Sequence, residues 1–265
     1  SEIHFITNYI VFLIIENSSL MDKKCELIYE GKAKIIFANE NPELVSIVFK
    51  DDATAFNAKK KQIFKGKGIL NCSITSNIFD LLIKNQIPTH YIKRINENSI
   101  LAKKVEIIPI EVVLRNIAYG SLCRQTDIEP GTNLKQPLID FYYKNDNLND
   151  PLLTSDRIFL LDLIEAEGLQ KIKEITYKIN NILKDFFLEL NLTLVDFKLE
   201  FGKDSSGQII LADEFSPDNC RLWDRNTKNG KIESLDKDRF RNDLGDLIEA
   251  YSEIDNRINN FIGFT

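Results

Sequence analysis

Hydrophobic residues recur along this chain with two different periods. Short runs rich in Ile, Val and Phe occupy Glu26–Phe37 and Leu44–Phe49, with Asn-Glu-Asn-Pro between them. Runs of that length bounded by Gly, Asn or Pro predict antiparallel strands joined by turns. From Gly68 to Asn85 the apolar positions Ile69, Ile74, Ile78, Leu81 and Leu82 follow helical spacing instead, and Pro88 stops the helix. Strand-like runs return at 91–95, 99–107 and 110–115. The stretch 124–160, rich in Asn, Asp and Pro with little periodicity, predicts loops over a site. Over 168–190 a single stripe of Leu169, Ile172, Ile175, Ile179, Ile182, Leu183, Phe186 and Phe187 predicts a strongly amphipathic helix. Two strands follow at 192–201 and 208–213, joined by a Gly202–Gly207 hairpin loop. A last helix is expected near 236–260, carrying Phe240, Leu244, Leu247, Ile248, Tyr251, Ile254 and Ile258. Strands first, then helices packed on antiparallel sheet, give an α+β class.

Composition narrows the class of protein. A chain of 265 residues with 43% hydrophobic and 28% charged positions holds roughly one or two domains with a real core and is no disordered segment. Its net charge of −6 and pI near 5.2 supply no global positive field for polyphosphate chains or anionic membranes. Nucleic-acid and membrane partners are therefore set aside. Cys25, Cys72, Cys123 and Cys220 are scattered without a C-x-x-C pair, which fits reduced thiols in a cytoplasm. Two histidines, His4 and His90, are too few and too separated for a zinc cluster or a Cys/His nucleophile. Chemistry must run on carboxylates, Lys and Arg.

Residues 1–20 stand apart. Phe5–Ile15 is an apolar run of about a dozen residues, short of the ~20 needed to cross a bilayer, and it lacks the basic flank and cleavage site of a signal peptide. Met21, the only methionine, precedes the patterned sequence. The segment reads either as an extension upstream of a start at Met21 or as an extra element packed on the core. Starting at Met21 is expected to leave a soluble, active chain. The apolar run also leaves room for a homodimer contact. The body divides into an antiparallel β lobe over 21–107 and an α+β lobe over 108–265.

Three constellations carry candidate chemistry. In Glu30-Gly31-Lys32-Ala33-Lys34 the glycine permits a tight turn, and lysines two apart on a strand share a face where they can hold phosphate oxygens. A lysine-decorated strand edge that discourages aggregation is the plainer explanation. In the strand pair, Asp196, Lys198 and Glu200 alternate with Phe197 and Leu199, and the hairpin returns Asp213 and Glu214 beside them. So many carboxylates around one lysine repel unless a cation sits among them, and magnesium shared with substrate phosphates suits the set. A solvent-facing strand of mixed charge is the alternative. In Arg115-Asn116-Ile117-Ala118-Tyr119-Gly120-Ser121-Leu122 a strand ends, glycine turns the chain, and Ser121 is placed to cap a following helix. With Arg221 as a second guanidinium, this makes a phosphate site, or else an ordinary cap beside surface arginines. Trp223, the sole tryptophan, is expected in the core.

Six ordered blocks of this chain resemble one family. They are Tyr29-Glu-Gly-Lys-Ala-Lys34, Glu111-Val-Val-Leu-Arg-Asn116, Gly120-Ser-Leu122, Tyr143-Lys-Asn-Asp146, Leu194-Val-Asp-Phe-Lys-Leu-Glu-Phe-Gly202, and Asp213-Glu-Phe-Ser-Pro-Asp218 running on through Arg221-Leu-Trp-Asp224. Together they resemble the phosphoribosylaminoimidazole-succinocarboxamide synthase (SAICAR synthetase) family of purine biosynthesis. The likeness runs from about Cys25 to Ile258 and excludes residues 1–20. It implies an ATP-grasp-like fold. The implied reaction joins L-aspartate to the carboxylate of carboxyaminoimidazole ribotide (CAIR) with ATP and Mg2+, through an acyl phosphate.

The resemblance also implies roles. Lys32 and Lys34 look like nucleotide-phosphate lysines, and the stretch from Lys103 to Val105 resembles the backbone that receives adenine, which makes the first lobe the nucleotide side. Glu200 and Asp213 look like magnesium ligands, with Asp196 and Asp150 nearby. Arg115, Ser121 and Arg221 are implied to hold the ribotide phosphate, and Lys144 and Lys198 to neutralise charge around the transferring phosphoryl group. Lys237 and Arg241 are candidates for the aspartate or ribotide side. Tyr119 departs from the family, which has small residues before Gly-Ser-Leu; its ring is expected beside the site. Another ATP-grasp carboxylate–amine ligase or a small-molecule kinase shares the lysines and carboxylates but needs no Arg115/Ser121/Arg221 pocket. A nucleotide-sensing regulatory module, the non-enzyme rival, releases no ADP with aspartate and CAIR.

Overall fold

The β-rich N-terminal part closes into one antiparallel sheet. The computed structural model describes residues 26–55, 60–226 and 233–264; expectations for residues 1–20, Met21 and Cys25 lie outside these. Strands β1 (Leu27–Glu30), β2 (Lys34–Ala38), β3 (Leu44–Phe49), β6 (Tyr91–Asn96) and β7 (Ser99–Lys103) run in the order β1-β2-β3-β7-β6. Val45, Ile47 and Phe49 of β3 bury one face, as alternation requires. Between β3 and β6 come a hairpin, β4 (Asp52–Ala55) and β5 (Lys60–Ile63), and helix α1 (Lys67–Lys84). Asp51 caps α1 by accepting from the backbone N–H of Gly66 at 3.1 Å and Gly68 at 2.9 Å. Gly68 has to be glycine, because a Cβ there would sit 2.6 Å from the Phe49 carbonyl oxygen.

A second, seven-stranded sheet holds the rest. Its strands are β8 (Glu106–Ile117), β9 (Asn133–Tyr143), β10 (Leu152–Leu153), β11 (Leu192–Lys203), β12 (Ile209–Ala212), β13 (Cys220–Asp224) and β14 (Glu233–Ser234). The order is β10-β9-β8-β11-β13-β14, with β12 paired to β11. Short helices α2 (Ser121–Gln125) and α3 (Ser155–Leu160) lie in its connections, and α4 (Ala166–Glu189) covers one face. Leu169, Ile172, Ile175, Ile179, Leu183, Phe186 and Phe187 of α4 are buried, each contributing about 1.5–3 kcal/mol of apolar burial. One continuous buried cluster runs through both sheets. The sheets also touch through backbone: Thr89 bridges Leu211 in parallel, and the His90 N–H donates to the Leu211 carbonyl at 2.8 Å.

Strand β11 explains how one segment serves both core and site. Leu192 and Leu194 face the core, and so do Phe197, Leu199 and Phe201, which strict alternation from Leu192 would forbid. The register against β13 shifts between Leu194 and Asp196, and this extra residue restores the phase. Asp196, Lys198 and Glu200 therefore share the opposite face.

Two expectations are corrected. The 124–160 stretch is not all loop: β9 runs eleven residues through it, with β10, α3 and a 3-10 turn at Asp146–Leu148. Its polar composition reflects half-exposed positions of a strand paired with β8 from Ile110 to Ile117. The final helix is two, α5 (Asp238–Arg241) and α6 (Leu247–Phe264). The break falls where Asp243, Gly245 and Asp246 adopt positive φ of 53°, 73° and 43°, conformations that interrupt a right-handed helix. Trp223 is buried, as expected.

Candidate active site

Strand register sets the first part of the site. Asp196 lies opposite Arg115 of β8 on one side and Arg221 of β13 on the other. Arg221 Nη1 donates to both Asp196 oxygens, at 3.1 and 2.8 Å, while its Nε donates to Asp238 Oδ2 at 2.6 Å. Arg115 Nη1 donates to Asp196 Oδ2 at 3.2 Å, Nε to Asp140 at 3.1 Å, and Nη2 to Ser121 Oγ at 2.8 Å and Tyr142 Oη at 3.3 Å. Burial alone would lower the Arg221 pKa, but Asp196 and Asp238 raise it well above the usual value, so the guanidinium is permanently charged. Two guanidinium groups meet at one buried carboxylate, and any N–H donor they leave over suits an anion.

Ser121 does not cap α2. Gly120 holds the cap position, with φ 63°, and Ser121 is the first helical residue, its hydroxyl taken up by Arg115. A Cβ on Gly120 would meet Arg221 Nη2 at 2.9 Å, so glycine here makes room for the guanidinium.

The second part is a lysine–carboxylate cluster. Lys198 Nζ donates to Glu111 Oε1 at 2.7 Å and Glu200 Oε1 at 3.0 Å. Lys144 bonds the other Glu200 oxygen, and Lys34 bonds Asp213 as well as Glu214 Oε1 at 2.8 Å. The repulsion among carboxylates foreseen in the sequence is thus met by three lysines. Burial would lower the Lys34 and Lys198 pKa values, but Asp213 and Glu214 around the first, and Glu200 and Glu111 around the second, raise both. Burial would raise Asp213, yet Lys34 and Lys198 hold it well below the usual carboxylate range. Lys34, Lys198 and Asp213 therefore stay ionised at neutral pH.

A cleft of about 960 Å³ takes in Arg115, Ser121 and Arg221, then Lys198 and Glu111, with Lys32 also on its lining. Its far wall carries Asp218, Lys237 and Arg241. Arg241 donates to Asp238 Oδ1 at 2.6 Å. Asp218 is anchored from beneath: Tyr251 donates to it at 2.7 Å, Asn71 at 3.0 Å, and the fully buried Lys67 ammonium lies 2.6 Å away as an ion pair without hydrogen-bond alignment. Burial lowers the Lys237 pKa against the pull of Asp218.

Other expected residues fall outside this cluster. Lys32 is in the turn before β2, not on a strand face with Lys34, and its exposed ammonium lies 2.8 Å from Asp146. Lys103 is exposed at the end of β7, 3.9 Å from Asp204, and Val105 abuts Gly202; neither lines the cleft. Asp150 accepts from the Asn145 N–H at 2.9 Å, inside the turn that follows β9. Sequence reasoning missed Glu111, Tyr142, Asp140 and Asp238. Glu111 was within reach, since counting back by two from Arg115 gives Val113 and Glu111 on one strand face. Tyr142 and Asp140 carry no such signal, because the Asn-, Asp- and Pro-rich stretch that holds them lacks a clear strand period.

A cleft lined with arginine, lysine and carboxylate on this α+β fold defines a class of proteins that handle phosphorylated or carboxylate-bearing substrates. A sequence-family model for SAICAR synthetase matches residues 27–258. A phosphoribosylaminoimidazole-succinocarboxamide synthase of Prochlorococcus marinus subsp. pastoris is 67% identical over 242 residues, covering 91% of this chain and 100% of that protein. The crystal structure of the corresponding synthase from Ehrlichia chaffeensis has a TM-score of 0.85 at 49% identity, covering 88% of this chain and 98% of that one. A SAICAR synthetase in complex with ADP has a TM-score of 0.84 at 47% identity, covering 89% and 98%. The chain belongs to the SAICAR synthetase family.

Proposed function

We propose that this chain uses ATP to join L-aspartate to the carboxylate of CAIR, giving SAICAR, ADP and phosphate. A carboxylate is a poor electrophile. An oxygen of the CAIR carboxylate attacks the γ-phosphorus of ATP, ADP leaves, and an acyl phosphate remains. The aspartate amine then attacks the acyl carbon, the C–O bond to phosphate breaks, and the amine proton passes to solvent or a neighbouring carboxylate. Such transfers depend on positioning and charge neutralisation, which suits a site of lysines and arginines. The observation that carries the proposal is the continuity of one cleft from Arg115, Ser121 and Arg221 to Lys198 and Glu111.

In this scheme Arg115, Ser121 and Arg221 hold the ribotide phosphate, Lys144 and Lys198 neutralise the transferring group, and Lys32 and Lys34 meet the nucleotide phosphates. Lys103 and Val105 form the adenine edge, in a nucleotide lobe over 21–107 beside a catalytic lobe over 108–265. Lys237 and Arg241 face aspartate or the ribotide. Among the described residues no three acidic, His or Cys side chains converge to hold a metal by themselves. A magnesium ion carried by phosphates needs only one or two protein carboxylates. Glu200 and Asp213, both within the field of Lys198, supply those, with Asp196 and Asp150 further out; bound there, the ion would add charge neutralisation at the phosphates. We place the reaction in the cytoplasm; Cys72, Cys123 and Cys220 are unpaired, and no helix among the described residues is long and apolar enough to cross a membrane.

Thermal unfolding tests the pocket. CAIR is expected to raise Tm and its dephosphorylated riboside to have little effect; equal protection by both would favour a ligase or kinase acting on an unphosphorylated substrate.

A further inference from the structure

We propose that Tyr119 is a positioning residue for the ribotide phosphate: its ring, braced against Trp223, holds the Arg221 guanidinium in place and leaves Nη2 as the donor to the ligand. This rests on the Arg221 pocket described above.

Three sides of Arg221 are occupied by groups of this chain. Asp238 takes Nε and Asp196 takes Nη1. The Gly120 backbone lies so close that a Cβ there would be 2.9 Å from Nη2 and 3.2 Å from the guanidinium carbon. The Tyr119 ring covers a fourth side, its centroid 5.3 Å from that carbon, within cation–π range. Among the described residues Nη2 has no hydrogen-bond partner, so it is the arginine edge left for a phosphate oxygen.

Tyr119 is itself fixed. Its ring meets Trp223 edge to face at 5.4 Å and 83°, and with Ile117 and Val195 the pair forms a small apolar cluster separate from the main core. Its carbonyl accepts from Arg115 Nη1 at 3.3 Å. One residue thus touches both pocket arginines, by backbone and by ring. Burial, and then Asp238, push the Tyr119 phenol above its usual pKa, so it brings no negative charge to the phosphate site. A guanidinium held between a carboxylate pair and an aromatic face loses less freedom on binding than a mobile one, which strengthens ground-state binding more than it changes the chemical step.

Steady-state KM for CAIR and for ATP is measured in Tyr119→Leu, Tyr119→Phe, Arg221→Ala and the Tyr119→Leu/Arg221→Ala double variant. Tyr119→Leu is expected to raise KM for CAIR about five- to tenfold, with a smaller change in kcat and KM for ATP within about twofold. Tyr119→Phe keeps the ring and rescues CAIR binding. In the Arg221→Ala background, Tyr119→Leu adds little. An unchanged CAIR KM in Tyr119→Leu, an equal rise for both substrates, failure of Tyr119→Phe to rescue, or a full effect without Arg221 would overturn the positioning role. If Arg221→Ala itself leaves CAIR binding intact, the pocket reading falls and takes this proposal with it. If Arg221→Ala impairs CAIR binding while Tyr119→Leu does not, only the proposal falls. Should Tyr119→Leu not fold, Tyr119→Met removes the ring and is held to the same outcomes.

Discussion

Arg221 and Asp196 face each other across the β11–β13 ladder, with Nη1 donating to both carboxylate oxygens at 3.1 and 2.8 Å. Arg115 also holds Asp196, so removing Arg221 leaves that carboxylate paired and takes away chiefly a donor to the ligand. Losing such a charged contact costs on the order of 2–3 kcal/mol, a factor of roughly 30–150 in affinity. Arg221→Ala should therefore raise KM for CAIR by about that factor and KM for ATP far less. Lys32→Ala should do the reverse. Initial-rate kinetics in both substrates checks this; two variants that weaken ATP alone would dissolve the division into ribotide and nucleotide ends.

Glu200 is held by Lys144 and Lys198, and Asp213 by Lys34. Glu200→Gln and Asp213→Asn keep the shape and remove the charge, and each should abolish turnover while the fold survives. Circular dichroism and ADP release measured together test this. Near-normal kcat at ordinary magnesium in either variant would exclude that residue from the metal-binding role.

Lys67 is fully buried against Asp218. Deleting one partner of a buried pair strands the other and costs on the order of 3–5 kcal/mol. Lys67→Met should lower unfolding free energy by roughly that amount in urea, toward the lower end because Tyr251 and Asn71 still donate to Asp218. The double variant with Asp218→Asn should lose less than the sum of the two singles, since neither charge is then left alone. Additive losses would mean that the two groups do not interact.

Asp236 is buried and accepts the backbone N–H of Leu222 at 2.9 Å and of Asp238 at 2.8 Å. Burial, and then the Asp238 charge, push it up to about 7. Between the unfolded value near 3.8 and the folded value near 7 the native state binds the proton more tightly. The stabilisation is complete below the lower value and disappears as pH rises through the higher. From pH 5 to pH 8 it should cost the wild type on the order of 2 kcal/mol relative to Asp236→Asn. Urea titrations of both proteins at the two pH values check this, and parallel pH dependence would contradict it.

Much of this site was legible because strand alternation is local. Asp196, Lys198 and Glu200 declare a charged face from their spacing with Phe197 and Leu199, and the Gly202–Gly207 turn brings Asp213 back to it. Long-range pairing was harder to read. Nothing near Lys34 announces that its partners are Asp213 and Glu214, and the bulge at Leu194–Asp196 shows only once β13 is in register. Strand β9 went unseen because its outward positions are polar and Pro137 interrupts the run. Such a strand is held by pairing with β8 more than by its own propensity. The break before Leu247 was masked by Phe240 and Leu244, which keep helical spacing across a turn that the positive φ values of Asp243 and Gly245 enforce.

The acyl phosphate can be tested by following one oxygen atom. With 18O in the CAIR carboxylate and unlabelled ATP, aspartate and water, the inorganic phosphate released in turnover should carry one labelled oxygen, because the bond broken by the amine lies between the acyl carbon and that oxygen. Mass spectrometry of the phosphate reads this directly. Phosphate free of 18O, formed at the same rate as SAICAR, would contradict activation of the carboxylate by phosphoryl transfer.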